Sequence, residues 1–552
     1  MIQKISKYDK YLIGIFTLYG FHQVFYIFIG GNTYDEMFLL YESGNIYNKI
    51  ILFFTDNSNE LLYKVGVNEY YGFLVVLPIY LLANSNIINS IFIQLFSSSE
   101  NININNNDEI LYILLHIFLN LYVIIILFFI YKKLNIFFEK KVSLLFVLFL
   151  LLFPSINGHA LFNIKDIPYA LQLFLTILYI FDFFLNSDFK NKLNLKKISI
   201  TGLNIGLVCL LRVNAYGFVG IASLYLLILF LRKGSKLKTL LYNNLLIYFV
   251  SIVVVILGSP SSWKNPIKWF IDALEHQFFY TWSGSTITNG RFIDAQNMES
   301  TYLVEWLIFK SPIVFLIGFG IFTYQLVIKN ITNEFARYSY FFIVFMNLLF
   351  FVFRPSAYDG IRQFLFIIPF LIIIFIDSIA HLPINKLLKN FAFAFCAFYL
   401  VLTQMGLGAY KYIYFNELID ENNLSYYCED VDGCGEWPTD YWAFSGKELA
   451  NFINKNSKSM NIEYILSCKP PQSVNTYLDS SIKGYRNVNQ IVDLGVKEFY
   501  VTSFQRPRPN NDSCRFDTND IKYLCNEITT IETSLRNKGV NLSYLHKCSI
   551  ES

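Results

Sequence analysis

Charged side chains are scarce in this chain: they make up 15% of its 552 residues, whereas hydrophobic side chains make up 54%. A soluble domain carries about 25% charged residues, because its surface must be solvated. The net charge of +3 is also too small for the strong basic field that attracts nucleic acid. The composition therefore excludes a soluble protein, gives no reason to expect a nucleic-acid partner, and predicts a polytopic membrane protein whose surroundings are the lipid bilayer.

Several motifs are also missing. No CxxC pair is present, and no DxD motif lies in a loop suited to hold a metal ion. The chain has neither a solenoid-type repeat nor the repeated halves that many transporters carry. The first apolar run is long and no small-x-small cleavage site follows it, so we expect no cleaved signal peptide.

Long apolar runs are abundant, and a run of about 20 residues crosses the hydrocarbon core. They predict about eleven transmembrane helices, near 11–30, 109–131, 142–158, 167–185, 198–216, 217–231, 242–259, 311–328, 339–353, 363–380 and 389–407. The run 72–97 contains Pro78 and a polar break, and we expect it to form helices on the interface; if it spans, the topology must be redrawn.

Basic residues are concentrated in alternate loops, as in "YKKLNIFFEKK", "DFKNKLNLKK" and "LRKGSKLK". Cytoplasmic loops carry the excess of Lys and Arg, so these loops and the N-terminus are predicted to be cytoplasmic. Eleven spans then place the C-terminal residues 408–552 outside. We expect a bacterial inner membrane and a periplasmic C-terminal domain.

Six of the eight cysteines lie in that C-terminal part: Cys428, Cys434, Cys468, Cys514, Cys525 and Cys548. An even number in one extracytoplasmic segment predicts disulfides. A zinc site is the alternative. Connectivity stays open, although Cys428 and Cys434 could close a small loop. Cys209 and Cys396 lie in predicted spans.

The predicted fold is thus a polytopic α-helical membrane domain, 1–407, with outer loops 31–108 and 260–310, followed by a small α/β domain, 408–552. In the C-terminal domain, "NIEYILSC" and "VKEFYVTSF" are β-rich, and "SGKELANFINKN" has helical spacing after a possible Ser445 cap.

Ionisable residues collect near span ends on the predicted outer side: Asp35, Glu36, His159, Lys165, Asp166, Arg212, Arg354, Asp359 and Arg362. The span interiors are nearly free of charge, with His116 as the main exception. A transporter would be expected to hold charges near the bilayer midplane. A belt at one interface instead suits a substrate with its tail in lipid and its phosphate and sugar in water.

Four motifs carry a family resemblance: "YDE" after the first span, "GHALFNIKDIPYA", "LLRVNAYG" and "RPSAYDGIRQFLFIIP". With "HQFFYTWSGSTITNGRF", "TYLVEWLIFKSP" and "EWPTDYWAFSGKEL", the chain resembles GT-C glycosyltransferases, in particular relatives of protein O-mannosyltransferase and aminoarabinose lipid A transferase. The resemblance implies transfer of a sugar from a polyprenyl-phosphate donor to a hydroxyl or phosphate of a lipid, glycan or protein, without metal or cofactor.

The resemblance also implies roles for particular residues. Asp35, with Glu36 beside it, matches the catalytic base, and Asp166 is a second acid. An acceptor hydroxyl needs such a carboxylate to take its proton. The expected phosphate-binding cations are Lys165, Arg212 and Arg362. Further candidate substrate contacts are His159, Tyr358 and Asp359.

Structural alternatives remain open for each of these residues. Asp35 and Glu36 could cap a helix, Lys165 and Asp166 could pair with each other, and Arg212 could snorkel to headgroups. Asp359 and Arg362 could pair locally. The "EWPTDYW" segment is interpreted as a packing junction, and His159 as structural. A lipid or polysaccharide transporter and a non-catalytic envelope assembly protein are the alternative functions.

Overall fold

The structure is a computed structural model that describes residues 6–56, 74, 77–78, 80–81, 84–85, 107–186, 194–232, 237–279, 282, 284–331, 333–424, 436–467, 471–485, 488–504 and 523–550. The α-helices before the C-terminal part are α1 Lys7–Ile27, α2 Tyr34–Thr55, α3 Asn107–Leu134, α4 Lys140–Leu152, α5 Pro154–His159, α6 Asp166–Leu185, α7 Leu195–Leu211, α8 Ala215–Arg232, α9 Leu237–Gly258, α10 Pro266–Phe279, α11 Tyr302–Lys310, α12 Ile313–Val327, α13 Glu334–Phe353, α14 Ile368–Ala380 and α15 Lys386–Leu402. Short 3₁₀ helices include Gly360–Ile367 and Lys411–Ile413, and strands β1 Ser285–Thr288 and β2 Arg291–Asp294 form a hairpin.

Every predicted span overlaps helix in the described residues, although the predicted span 142–158 is divided between α4 and α5. Seven helical segments there are long and apolar enough to cross a membrane: 109–134, 166–185, 215–232, 238–258, 334–353, 360–380 and 386–407. The pair α11 and α12, bent by 115°, brings the number to eight if it counts as one span. These helices are consistent with a multi-pass membrane protein; the count of eleven stays a prediction.

Three of the helices named above, all before the C-terminal part, lie where no span was predicted, among them α10, which falls in the predicted outer loop 260–310. The 22-residue helix α2 follows the first apolar helix directly, and α11 precedes α12. The segment 72–97 falls mostly outside the described residues, so its interpretation stays a prediction.

The helices α6 and α14 form the centre of the bundle. In the apolar window of α6, 89% of the residues are buried, compared with 22% in α8 and 28% in α9. A helix that is apolar on all sides needs apolar surroundings on all sides; α6 finds them in protein, whereas α8 and α9 leave large apolar faces for lipid.

Glycine allows two of the helices to approach closely. A Cβ atom at Gly202 or Gly206 of α7 would lie 2.6 Å or 2.5 Å from the Cβ of Val250 or Val254 on α9. Small residues four apart bring membrane helices into contact in this way. The backbone of α7 is thereby fixed up to its C-terminal residue, Leu211, which precedes Arg212.

Charged groups gather at the two opposite ends of α6. At its C-terminal end, Asp182 pairs with Lys133 at 2.5 Å and with Lys197 at 3.9 Å. At its N-terminal end, Asp166 contacts Arg212 and Arg362. Sixteen residues of helix separate the two ends by about 24 Å. We call them the Asp182 end and the Arg362 end of the bundle.

The C-terminal part contains a mixed five-stranded sheet of order β4-β3-β5-β7-β6. Its strands β3 Tyr464–Ser467, β4 Lys483–Tyr485 and β5 Glu498–Phe504 are parallel, and β6 Tyr523–Leu535 and β7 Lys538–Ile550 complete it in antiparallel fashion. The accompanying helices are α16 Gly446–Met460, α17 Gln472–Asn475 and α18 Val488–Val492. The predicted helix and both predicted strands are present at these positions; the domain boundary at 407 stays a prediction.

Cys525 and Cys548 form a disulfide across β6 and β7, which confirms that the C-terminal part carries a disulfide. Cys209 and Cys396 are free and buried. The other four C-terminal cysteines, including the suggested pair Cys428 and Cys434, lie outside the described residues.

We predict that replacing both Cys525 and Cys548 by Ser destabilises the sheet by about 2–4 kcal/mol, because the unfolded chain loses a cross-link. Thermal unfolding of the purified full chain measures the effect, with Cys396→Ser as a control that removes a thiol but no bond. An unchanged melting temperature in the double variant would contradict the prediction.

Candidate functional site

The guanidinium of Arg362 lies at the centre of a group of carboxylates at the Arg362 end. Its Nη1 atom lies 2.8 Å from Asp35 Oδ2 and 3.7 Å from Asp166 Oδ2, and its Nη2 atom lies 3.1 Å from Asp359 Oδ2. Only 3% of the Arg362 side chain is exposed. Since a buried charge is tolerated only when it is paired and hydrogen-bonded, these carboxylates are what keeps the cation buried.

Asp35 owes its position to the start of α2. Thr33 is the N-cap, and its backbone N–H and hydroxyl donate to Glu36 Oε2 at 2.7 Å and 2.8 Å. This capping box fixes the first helical turn, in which Asp35 also lies. The side chain of Asp35 is 22% exposed, against 2% for Asp166 and 6% for Asp359. It is therefore the most accessible of the three carboxylates.

Glu36 lies elsewhere, although it is the neighbour of Asp35 in sequence. It is buried, and its Oε1 atom lies 2.6 Å from Nε2 of His116 on α3. Its contacts are those of a capping residue that also joins α2 to α3. The structure thus separates the two adjacent carboxylates: Asp35 lies with Arg362, and Glu36 lies with His116.

Lys165 and Asp166 are held by a turn before α6. The side-chain oxygen of Asn163 accepts from the backbone N–H of Asp166 at 2.9 Å, and its amide nitrogen donates to Asp166 Oδ2 at 3.0 Å. Lys165 Nζ lies 4.0 Å from Asp35 Oδ2. Burial lowers the pKa of Lys165, and the carboxylates of Asp35 and Asp166 oppose that shift.

Arg212 follows α7 and donates to Asp166 Oδ1. Its guanidinium also lies 5.3 Å from the ring centroid of Tyr169. Arg212 therefore contacts the oxygen of Asp166 that Asn163 leaves free, and it belongs to the same group of charges. Arg354, in contrast, is exposed and lies outside the contacts described around Arg362.

Asp359 begins a tight turn in which it and Gly360 adopt left-handed backbone conformations, with φ of 57° and 72°. The hydroxyl of Tyr302 holds this turn by accepting from the Gly360 N–H at 2.9 Å. The turn carries Tyr358, whose ring lies 5.0 Å from the Arg362 guanidinium and 4.3 Å from the ring of Trp282. Tyr358 is half-buried, so this aromatic pair borders the site.

His159 is fully buried beside the charged group. Asn163 Nδ2 donates to its Nδ1 atom at 3.2 Å, so Nε2 carries the proton and donates to the Tyr441 hydroxyl at 3.2 Å. Burial lowers the pKa of His159 to about 3. A neutral imidazole with both nitrogens engaged has a structural role and is poorly placed to transfer protons.

The site can bind an anion and accept a proton. Three cations, Lys165, Arg212 and Arg362, adjoin three carboxylates. The Arg362 Nε–H is buried and meets no acceptor in the described part of the chain, so the guanidinium retains a donor for a further oxygen. Among the described residues, no cluster of His, Cys, Asp and Glu could hold a metal ion.

Several contacts of the site were not anticipated from the sequence. The indole of Trp442 lies 4.5 Å from the Arg362 guanidinium, and its Nε1–H donates to Asp359 Oδ2 at 3.3 Å. The other unanticipated contacts are those of Asn163 with Asp166 and of Tyr441 with His159. Trp442 and Tyr441 belong to the "EWPTDYW" segment, which the sequence analysis interpreted as a packing junction; Asn163 could have been found from its position three residues before Asp166 at a helix start.

We predict that Asp166→Asn destabilises the fold by about 3–5 kcal/mol, because it leaves the half-buried Arg212 and the buried Arg362 with one carboxylate fewer. Asp35→Asn should cost clearly less, since Asp35 is more exposed and Arg362 keeps Asp359. Thermal unfolding of both variants in the same detergent gives the comparison. Equal stability of the two variants would show that Asp166 is not the anchor of the group.

No protein-family model matches the chain, and no curated protein matches it either.

Proposed function

We propose that the chain is a membrane glycosyltransferase that moves a sugar from a polyprenyl-phosphate donor to an acceptor at the outer face of the membrane. The acceptor is a hydroxyl or phosphate of a lipid, glycan or protein. The observation that carries the proposal is the contact of a partly exposed carboxylate, Asp35, with two cations, the buried Arg362 and the half-buried Lys165, at one end of a bundle of apolar helices.

Asp35 acts as the catalytic base in this proposal. A carboxylate that takes the acceptor proton as the bond to the anomeric carbon forms contributes about 10²–10⁴ to the rate. The leaving group is already a phosphate, so no acid is needed to protonate it. One base and a direct displacement give inversion, unlike the paired carboxylates of retaining glycosidases. Glu36 serves as the capping residue that fixes Asp35.

Arg362, Lys165 and Arg212 stabilise the departing lipid phosphate. Cationic hydrogen-bond donors in a water-poor site favour the charge that develops on the leaving oxygen, and the guanidinium offers a planar fork that matches phosphate. The unoccupied Nε–H donor of Arg362 supports this role. Asp166 and Asp359 hold the cations in place, and transfer needs neither metal nor cofactor.

The proposed topology has eleven spans, a cytoplasmic N-terminus and a periplasmic C-terminal domain in a bacterial inner membrane. Two groups of contacts support it. Residues predicted to be cytoplasmic, Lys133 and Lys197, meet at Asp182. Residues predicted to be outside meet at Arg362, and this separation of the two sets is what the proposed topology requires.

Charge placement favours an enzyme over the alternative of a lipid or polysaccharide transporter. Residues 167–181 and 363–376, the interiors of the two most buried spans, contain no Asp, Glu, Lys or Arg. Transporters hold their substrate and coupling ions near the midplane. Here the charged site lies at one end of the bundle, where a lipid headgroup would lie. In a non-catalytic envelope assembly protein, the other alternative, the Asp35 region should tolerate mutation.

We predict that Asp35→Asn folds and inserts normally but loses about 10²–10⁴ in turnover. The matched control is Asp182→Asn, which makes the same change at the Asp182 end of the bundle, away from the site, and should retain activity. Transfer of labelled sugar in membrane vesicles is the measurement. Undiminished transfer by the Asp35→Asn chain would exclude it as the base.

Mass spectrometry identifies the substrates. In cells that lack the gene, one polyprenyl-phosphate sugar should accumulate and one envelope glycan decoration should disappear, because the donor is no longer consumed. The wild-type gene should restore both and the Asp35→Asn gene neither. Unchanged lipid-linked sugars and glycans would contradict the proposed reaction.

A further inference from the structure

The segment 439–446, "TDYWAFSG", joins the membrane helices to the C-terminal sheet, and we call it the 439–446 turn. We propose that this turn is a wall of the active site and that Asp440 is the positioning residue that sets it there. The claim that the site is catalytic rests on the function proposed above; the positioning claim rests on contacts alone.

Asp440 organises the turn from within. It is completely buried. Its Oδ1 accepts from the Phe444 N–H at 2.9 Å and from the Tyr412 hydroxyl, and its Oδ2 accepts from Ser445 N–H at 2.9 Å and Ser445 Oγ at 2.5 Å. Four donors satisfy one carboxylate, and the shape of the turn follows from them. Within it, Ala443 adopts a left-handed conformation with φ of 58°, which a non-glycine residue keeps only when its surroundings impose it.

The turn presents two consecutive aromatic side chains to the site. Trp442 stacks on Arg362 and donates to Asp359, so it covers the guanidinium on one face. Tyr441 accepts from His159. Both rings are at least nine-tenths buried. Without the turn, Arg362 would lose this cover and Asp359 one of its donors.

The same turn also contacts the segment that precedes Asp35. The Gly31 N–H donates to the Phe444 carbonyl at 3.0 Å, and Gly30 packs so closely on the Phe444 ring that a Cβ atom would lie 2.0 Å from it. Phe444 also packs on Phe162, at 4.4 Å between centroids. The turn therefore touches the chain next to the base and next to the cations.

On its other side the turn is anchored to the sheet. Thr439 Oγ1 donates to the carbonyl of Asn541 at 2.9 Å, and Ser445 Oγ lies 2.9 Å from Ser543 Oγ. Asn541 and Ser543 belong to β7. The C-terminal sheet thus holds one wall of the proposed active site in place through these contacts with β7.

Trp442 fluorescence tests the positioning claim without any ligand. The emission of Trp442 in the full-length chain is obtained by subtracting the spectrum of the matching Trp442→Phe variant. Asp440→Asn replaces one acceptor oxygen by an NH2 donor, so the buried backbone N–H of Phe444 or of Ser445 is left without an acceptor. Trp442 emission should then shift to longer wavelength as the turn opens. Asp377→Asn, a buried Asp near the C-terminal end of α14, is the matched control and should leave the emission unchanged.

A folded Asp440→Asn chain with unchanged Trp442 emission would overturn the inference. If that chain does not fold, Ser445→Ala removes one of the four donors. A smaller shift of the Trp442 emission in the same direction then supports the inference, and an unchanged emission contradicts it.

Binding of farnesyl phosphate then links the turn to the site. Titration of the wild-type chain should change Trp442 emission as the phosphate reaches Arg362, and Asp440→Asn should bind about tenfold more weakly, the equivalent of about 1.4 kcal/mol. Equal affinities would overturn the role of Asp440. Absence of binding to the wild-type chain would instead contradict the proposed donor, while the emission of the ligand-free chain still decides the positioning claim.

Discussion

A guanidinium buried among carboxylates is the interaction on which the arrangement of this site depends. Arg362 is 3% exposed, and an uncompensated charge there would cost several kcal/mol. The compensation comes from three separate parts of the chain: the start of α2, the start of α6 and the turn at Asp359. Each of these segments must therefore reach the same end of the bundle, and the ends of several helices are placed by that requirement.

The three carboxylates around Arg362 are not equivalent. Asp166 is held by Asn163 and Arg212, and Asp359 by Trp442, whereas Asp35 is more exposed. In the proposed reaction, an arriving phosphate displaces the carboxylate that is easiest to move from the guanidinium. That carboxylate is Asp35, which then keeps its charge and faces the acceptor. The exchange leaves the buried pairs intact, so it does not expose a bare charge in the interior.

Much of this site could be predicted from the sequence because charged residues are rare in this chain. Lys165, Asp166, Arg212 and Arg362 are recognisable as ionisable residues at the ends of apolar runs. The role of Trp442 could not be predicted, since aromatic residues make up 18% of the chain and its partner Arg362 lies 80 positions away. Helix α2 was predicted as an outer loop, with a helix capped by Asp35 and Glu36 only as the alternative, because its polar residues Glu42, Asn45 and Asn48 interrupt the apolar pattern. Every predicted span, in contrast, overlaps helix in the described residues.

Asp35 and Glu36 show how far local rules separate two neighbouring residues of the same charge. Successive residues on a helix point about 100° apart, so both side chains cannot face Arg362. The capping box decides which of the two faces Arg362. Glu36 lies at the third position after Thr33 and its side chain turns back to Thr33, so the side chain of Asp35 is the one that reaches Arg362. His116 then fixes Glu36 from α3. The orientation of the proposed base is therefore set by an acid that takes no part in the proposed chemistry, and both carboxylates are needed for one to act.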